Sequence, residues 1–371
     1  MQTVWNRSGW IAAMVLALFV VGAMTGVVRG GPLDPPGPPG STDSVQLPGT
    51  PISSVPFTIS APGNYYLTRD LASPSSGAAI TVAADYATID LMGFTLHAEA
   101  GGATAIDAST YYRLTVRNGR IDFFATGIAN SNGWYGRFED LTIQMGDTSG
   151  KAIETGDHAV VSNVDTYSGY SGVLVGKSAR ISAVSTSEPL FRGIDAGDGA
   201  QIIDAKTVGG SQGMRVGSDA LLSRVQIIGA NDWGLAGDYR VTILDCTVTT
   251  VTGFTAIGLS NYAVVRGCSV ADGGMDGISA GSFSVIEDNT VRGVSNCAIS
   301  LIGEHGRANT NQIAQAGRAV CASMPSGANA IYNNSYTGIS IAIYDGPSGS
   351  LNAAPMAPAD TATNPFTNIT Q

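Results

Sequence analysis

Between residues 100 and 340 the chain returns about every 21 residues to a small residue followed by an aliphatic one. The pairs include Gly172-Val173, Gly193-Ile194, Gly213-Met214, Gly234-Leu235, Ala256-Ile257, Gly277-Ile278 and Ala298-Ile299. After each pair, apolar and variable residues alternate, as in Gly193-Ile194-Asp195-Ala196-Gly197. That period of two belongs to a strand with one buried face. A second, β-branched block follows in the same repeat, as in Val264-Val265-Arg266-Gly267-Cys268-Ser269-Val270. No stretch between the blocks is long enough, or periodic enough at 3.6 residues, for a helix.

A fixed period this short denotes a solenoid. Two or three short strands per repeat, stacked on their copies, predict an all-β right-handed parallel β-helix. It would have about twelve coils of roughly 21 residues and a length on the order of 60 Å, at ~4.8 Å per coil. A leucine-rich repeat has an overlapping period, but its Leu-x-x-Leu-x-Leu frame is missing. The earlier pairs Ala79-Ile80, Ala105-Ile106, Gly127-Ile128 and Ala152-Ile153 are more widely spaced, which implies longer turns there.

In the second block Cys246, Cys268, Asn289, Asn311 and Asn334 share one position. Stacking predicts a structural ladder in which the Asn amides satisfy one another at a buried corner. Cys246 and Cys268 are expected as reduced, stacked thiols, because a flat stack holds their β-carbons further apart than a disulfide prefers. Cys297 and Cys321 sit at different positions of adjacent coils, which leaves a diagonal bridge open. Without nearby His pairs, these spacings do not suggest zinc.

The 48 glycines lack a collagen-like period and suit tight turns. The net charge of −10 argues against nucleic acid as a partner. Arg7 precedes an uncharged apolar run over residues 8–28, so residues 1–29 read as a secretory signal, or as a membrane anchor if uncleaved. The implied location is secreted, cell-surface or periplasmic. Residues 30–51, with Pro32, Pro35, Pro36, Pro38, Pro39 and Pro48, read as a spacer. Residues 52–347 read as the β-helix, and residues 348–371 as a tail capping its exposed edge.

Several segments carry a resemblance: Pro51-Ile52-Ser53-Ser54-Val55-Pro56-Phe57-Thr58-Ile59, Pro62-Gly63-Asn64-Tyr65-Tyr66-Leu67, Ile89-Asp90-Leu91-Met92-Gly93-Phe94-Thr95-Leu96, Val116-Arg117-Asn118-Gly119-Arg120-Ile121 and Asn364-Pro365-Phe366. They resemble exported right-handed parallel β-helix repeat proteins of environmental bacteria, within the pectin-lyase-like superfamily. The resemblance implies the fold and no settled activity. Of the polygalacturonase motifs the chain has only His305-Gly306, from which nothing is carried over. The calcium ligands and the Arg or Lys base of pectate lyases have no local counterpart here.

The residue after each aliphatic should face outward. That column contains Asp107, Ala129, Glu154, Leu174, Asp195, Arg215, Ala236, Gly258 and Ser279. A second column, three residues on, contains Asp157, Lys177, Asp198 and Ser218. Glu154, Asp195 and Arg215 are therefore the candidates for catalysis, and Asp157, Lys177 and Asp198 for ligand binding. The four carboxylates Glu154, Asp157, Asp195 and Asp198 are also candidate Ca²⁺ ligands. The alternative for all of them is an ordinary solvated face. Phe124, Tyr170, Phe191 and Phe254, with Trp134, Tyr135, Tyr167 and Trp233 nearby, would form an aromatic strip suited to sugars. His97, His158 and His305 lack recognisable partners and read as incidental.

These features point to a surface protein that binds, or processes as a lyase or hydrolase, a polysaccharide or cell-surface glycan on a face around residues 124–239. The alternative is a non-catalytic structural or adhesive rod, suggested by the bland later coils and the proline-rich spacer.

Overall fold

The computed structural model describes residues 49–73, 77–99, 102–322 and 329–345, and the strands Leu351–Ala353, Met356–Pro358 and Asn368–Thr370. The expected signal segment, most of the spacer and the Asn364-Pro365-Phe366 motif lie outside the described residues.

Strands stack in parallel on their counterparts in the next coil, forming three ladders. The first ladder runs from Phe57–Ile59 to Ile341–Asp345. The second runs from Thr50–Ile52 to Leu351–Ala353. The third runs from Leu71–Ser73 to Ser335–Thr337. Among the described residues there is no helix. This is the parallel β-solenoid that the periodicity and the resemblance both imply, with about 13 turns of ~22 residues. The sequence repeat gives about twelve coils of 21, and the difference lies in the longer early coils: Ile80 pairs with Ile106, and Ile128 with Ile153.

The small–aliphatic pair has a steric cause. Within Lys151–Thr155 and Arg192–Ala196 two consecutive residues are buried and are flanked by partly exposed ones, so the chain bends there and both members of the pair point inward. The aliphatic fills the core: Ile153, Val173, Ile194, Met214 and Leu235 are fully buried. The small residue presses against the third ladder. A β-carbon on Gly193 would come within 2.4 Å of Thr207 Cγ2 and 2.8 Å of the Gly213 carbonyl oxygen. Such contacts leave room for hydrogen and, at some coils, for one methyl group.

The residues of the predicted ladder meet as expected. The Cys268 backbone N–H donates to Asn289 Oδ1 (2.8 Å), Asn289 to Asn311 Oδ1 (3.1 Å) and Asn311 to Asn334 Oδ1 (2.9 Å). The side-chain amides of Asn289 and Asn311 also donate to the next Asn at 3.0 and 2.9 Å. Two coils back, the Cys246 N–H points at Cys268 Sγ (3.4 Å). Cys246 and Cys268 are free and buried, and the hydrogen bond between the two thiols, followed by burial, pushes the Cys268 thiol up. Cys297 and Cys321 form the diagonal disulfide, with their Cα atoms 6.0 Å apart.

The tail adds to the ladders. Leu351–Ala353 pairs with Asn329–Tyr332 in the second ladder, and Asn368–Thr370 with Ser335–Thr337 in the third.

Candidate functional site

The outward column of the first ladder is in register as read from the sequence. Asp107 pairs with Ala129, Ala129 with Glu154, Glu154 with Leu174, Leu174 with Asp195, and Asp195 with Arg215. It continues through Ala236 and Gly258 to Ser279. The bend at the small–aliphatic pair sets out a neighbouring column as well, in which Lys151, Ser171, Arg192, Gln212 and Trp233 follow one another, all but the buried Ser171 partly exposed.

The two columns are joined by ion pairs across the bend. Lys151 Nζ lies 2.6 Å from Glu154 Oε1, and Arg192 Nη1 lies 2.5 Å from Asp195 Oδ2. Both pairs are half-buried, and Arg192 Nε also donates to Gln212 Oε1 at 2.8 Å. Arg215 reaches Asp238 at 3.8 Å.

The second candidate column belongs to the turn after the first ladder. There each side-chain oxygen accepts the backbone N–H of the next coil. Asp157 Oδ1 takes Lys177 N–H (2.7 Å), Asp198 Oδ1 takes Ser218 N–H (3.0 Å) and Asn261 Oδ1 takes Ser282 N–H (2.8 Å). Lys177 Nζ also pairs with Asp198 at 3.1 Å, and this contact, with the Ser218 N–H, holds the Asp198 carboxyl below the usual carboxylate value. Asp157 and Asp198 therefore brace the turn with one oxygen, and the second oxygen of Asp198 faces Lys177.

Glu154, Asp157, Asp195 and Asp198 converge on one depression of about 410 Å³, which Arg215 and Asp238 also line. A second depression of about 310 Å³ continues it along the same face, sharing Arg215 and Asp238 and bounded by Arg192, Gln212, Trp233 and Gly258. Together they form a groove. From Glu154 to Ser279 it crosses six coil steps, a span of ~29 Å. Among the described residues no three His, Cys, Asp or Glu side chains are placed to hold a metal ion. Glu154 and Asp195 sit two coils apart, each turned to its own cation, while Asp157 and Asp198 are tied to backbone N–H groups.

The aromatic strip divides. Tyr170 and Phe191 stack at 5.2 Å beside the groove, with the Arg192 guanidinium 4.3 Å from the Phe191 ring, and Trp233 packs 6.3 Å from Phe254. Phe124, by contrast, is fully buried in the core, because its place at the end of the long strand Thr115–Phe124 faces inward. Tyr135 turns to the corner between the first and second ladders, where it stacks on His158, and Trp134 packs on Tyr112. Each histidine does have a ring partner: His97 packs on Phe123, His158 on Tyr135 and His305 on Phe283. A signal for the last two was present, since from Ile153 onward the corner residue stands at a nearly constant offset after the aliphatic. Asp238 and Gln212 were missed because their roles depend on neighbours one coil away, Arg215 and Arg192.

No known family profile matches the sequence, and no curated protein matches it. Solved structures do resemble it in fold. The A-module of the mannuronan C-5 epimerase AlgE6 from Azotobacter vinelandii is 13% identical, with a TM-score of 0.46 over 79% of this chain and 91% of that one. The catalytic unit of a thermostable GH87 α-1,3-glucanase from Streptomyces thermodiastaticus is 12% identical, with a TM-score of 0.49 over 85% of this chain and 62% of that one. PfbA, a surface adhesin of Streptococcus pneumoniae, is 10% identical, with a TM-score of 0.33 over 80% of this chain and 83% of that one.

Proposed function

We propose that this chain is an exported cell-surface protein that binds a neutral polysaccharide along the first-ladder groove. The observation that carries the reading is the continuity of the two depressions through Arg215 and Asp238. A span of ~29 Å suits an oligomer rather than a single sugar. The chemistry of the lining agrees. Carboxylates accept hydrogen bonds from sugar hydroxyls, the Arg215 guanidinium and the Gln212 amide donate them, and the Trp233 indole offers an apolar face for a sugar ring. Five carboxylates line the first depression, and with Lys151, Lys177, Arg192 and Arg215 paired to four of them the site keeps no excess positive charge to hold a polyanion.

A glycan array probed with the full chain tests this. Neutral glucans, mannans or galactans are expected to bind, and Trp233→Ala and Arg215→Ala to weaken that binding about tenfold each. An array on which no neutral glycan binds would remove the proposal and leave the structural rod. Release of new reducing ends from a bound glycan, lost in Glu154→Gln or Asp195→Asn, would extend the reading to catalysis.

A further inference from the structure

The corner between the first and second ladders is built from unusual residues. From Tyr86 to His305 its residue in each coil has left-handed backbone, with φ between +54° and +67°, a region that residues other than Gly, Asn and Asp seldom enter. The next corner follows that preference at Asn118, Asp140, Asn163, Asp204, Asp245, Asp288 and Asn333, and departs from it at Met92, Ala183, Arg224 and Thr310, none of them aromatic. This one carries large planar groups in two runs. Tyr86, Arg113, Tyr135 and His158 form the first, and Asp219, Arg240, Tyr262, Phe283 and His305 the second.

Within the runs several neighbours touch. The Arg113 guanidinium lies 5.5 Å from the Tyr86 ring and 5.1 Å from the Tyr135 ring, and Tyr135 stacks on His158 at 4.9 Å with 12° between the planes. In the second run Arg240 grips Asp219 with two bonds, and Tyr262 stacks on Phe283 at 5.0 Å. Between the runs stand Ser178 and Gly199, so two rungs lack any planar group. The space is a cavity of about 490 Å³, lined by Tyr135, His158, Val160, Ser178, Arg180, Gly199 and Gln201.

We propose that this gap is a binding slot for a uronic acid ring of an acidic glycan. One rung of the stack is ~4.8 Å, so a ring inserted level with Ser178 meets His158 at the separation Tyr135 already keeps from it. Arg180 and Gln201 are in register on the floor beside the gap, each exposed. A guanidinium takes a carboxylate through two parallel bonds, while the Gln201 amide and Ser178 hydroxyl serve ring hydroxyls. No carboxylate lines the slot, on a chain whose net charge is −10. Its charge preference is thus opposite to that of the groove, and it stands independently of the groove's function.

The test is titration calorimetry on the full chain carrying Trp233→Ala, so that the groove does not obscure the slot. The probes are trigalacturonate, its uncharged counterpart galactotriose, and benzoate. Trigalacturonate is expected to bind about tenfold or more tighter than either of the others. Ser178→Tyr places a ring on the missing rung, at a corner that already accepts tyrosine at positions 135 and 262, and is expected to abolish binding. Arg180→Gln, at an exposed side chain, is expected to weaken it about tenfold. Absence of trigalacturonate binding, or binding unchanged in both variants, overturns the proposal. Equal or tighter binding of benzoate overturns the assignment to a sugar acid.

Discussion

The indole of Trp233 lies across Gly258 of the next coil, so closely that a β-carbon on Gly258 would stand 2.2 Å from the ring. The glycine is what lets a large aromatic lie flat on the floor of the groove. In Gly258→Ala the ring has to lift. The expected result is a red-shifted tryptophan emission, weaker binding of a neutral glycan and a stability loss of about 1–3 kcal/mol by urea titration. An unshifted emission with unchanged binding would show that the glycine does not seat the ring.

The Asn column carries buried polar groups that nothing else in the structure can satisfy. Asn311 accepts the Asn289 N–H, and its own amide donates to the Ile286 carbonyl (2.9 Å) and to Asn334. Asn311→Ala strands those partners, each at about 1–3 kcal/mol. A lowered urea midpoint, with the far-ultraviolet circular dichroism of a β-protein retained below it, is the expected outcome. The same substitution at exposed Asn163, whose amide reaches Asp140, is expected to matter far less.

The four cysteines are expected to divide in two by reactivity. Cys246 and Cys268 are each 2% exposed, and no thiol of the native protein should react with a disulfide reagent. Two should react in denaturant without reductant, and four after reduction. The Cys297–Cys321 bridge closes a segment of 24 residues, and its reduction is expected to lower stability by about 3 kcal/mol. Mass spectrometry of alkylated peptides checks both assignments.

Two exposed ion pairs give the chain a defined acid response. Hydrogen bonds from Arg224 and Arg240 hold the carboxyls of Asp204 and Asp219 below their usual 3.8. A depressed carboxyl stabilises the fold above its unfolded value, and that contribution is lost as pH falls through the folded value. Stability is therefore expected to be insensitive to these pairs in how it varies between pH 7 and 5, and to lose their contribution below about 3.8. The double variant Arg224→Gln, Arg240→Gln should show a smaller acid decline than wild type, and 1 M salt should narrow the difference between them.

The fold was legible because it is periodic. The small–aliphatic pair, the outward column with Glu154, Asp195 and Arg215, and the Asn ladder all follow from counting along a repeat. What counting could not supply was depth and direction. Phe124 precedes a bend like Tyr170 and Phe191, yet it ends an uninterrupted ten-residue strand and points into the core. Asp157 and Asp198 read as free carboxylates, but each spends one oxygen on a backbone N–H of the following coil. The corner stack is harder to read because its members differ in type, although from Ile153 onward they stand at a nearly constant offset after the aliphatic. Tyr, Arg, His and Phe share planarity and little else, and their common left-handed backbone confirms them as one column.

The most direct measurement is a crystal structure of the protein soaked with the neutral oligosaccharide it binds best. The expected density follows the first ladder from the Glu154 coil to the Ser279 coil, with one sugar ring over the Trp233 indole and hydroxyls within hydrogen-bond distance of Asp195 and Arg215. Saccharide density on another face, with this groove filled by solvent alone, would contradict the assignment.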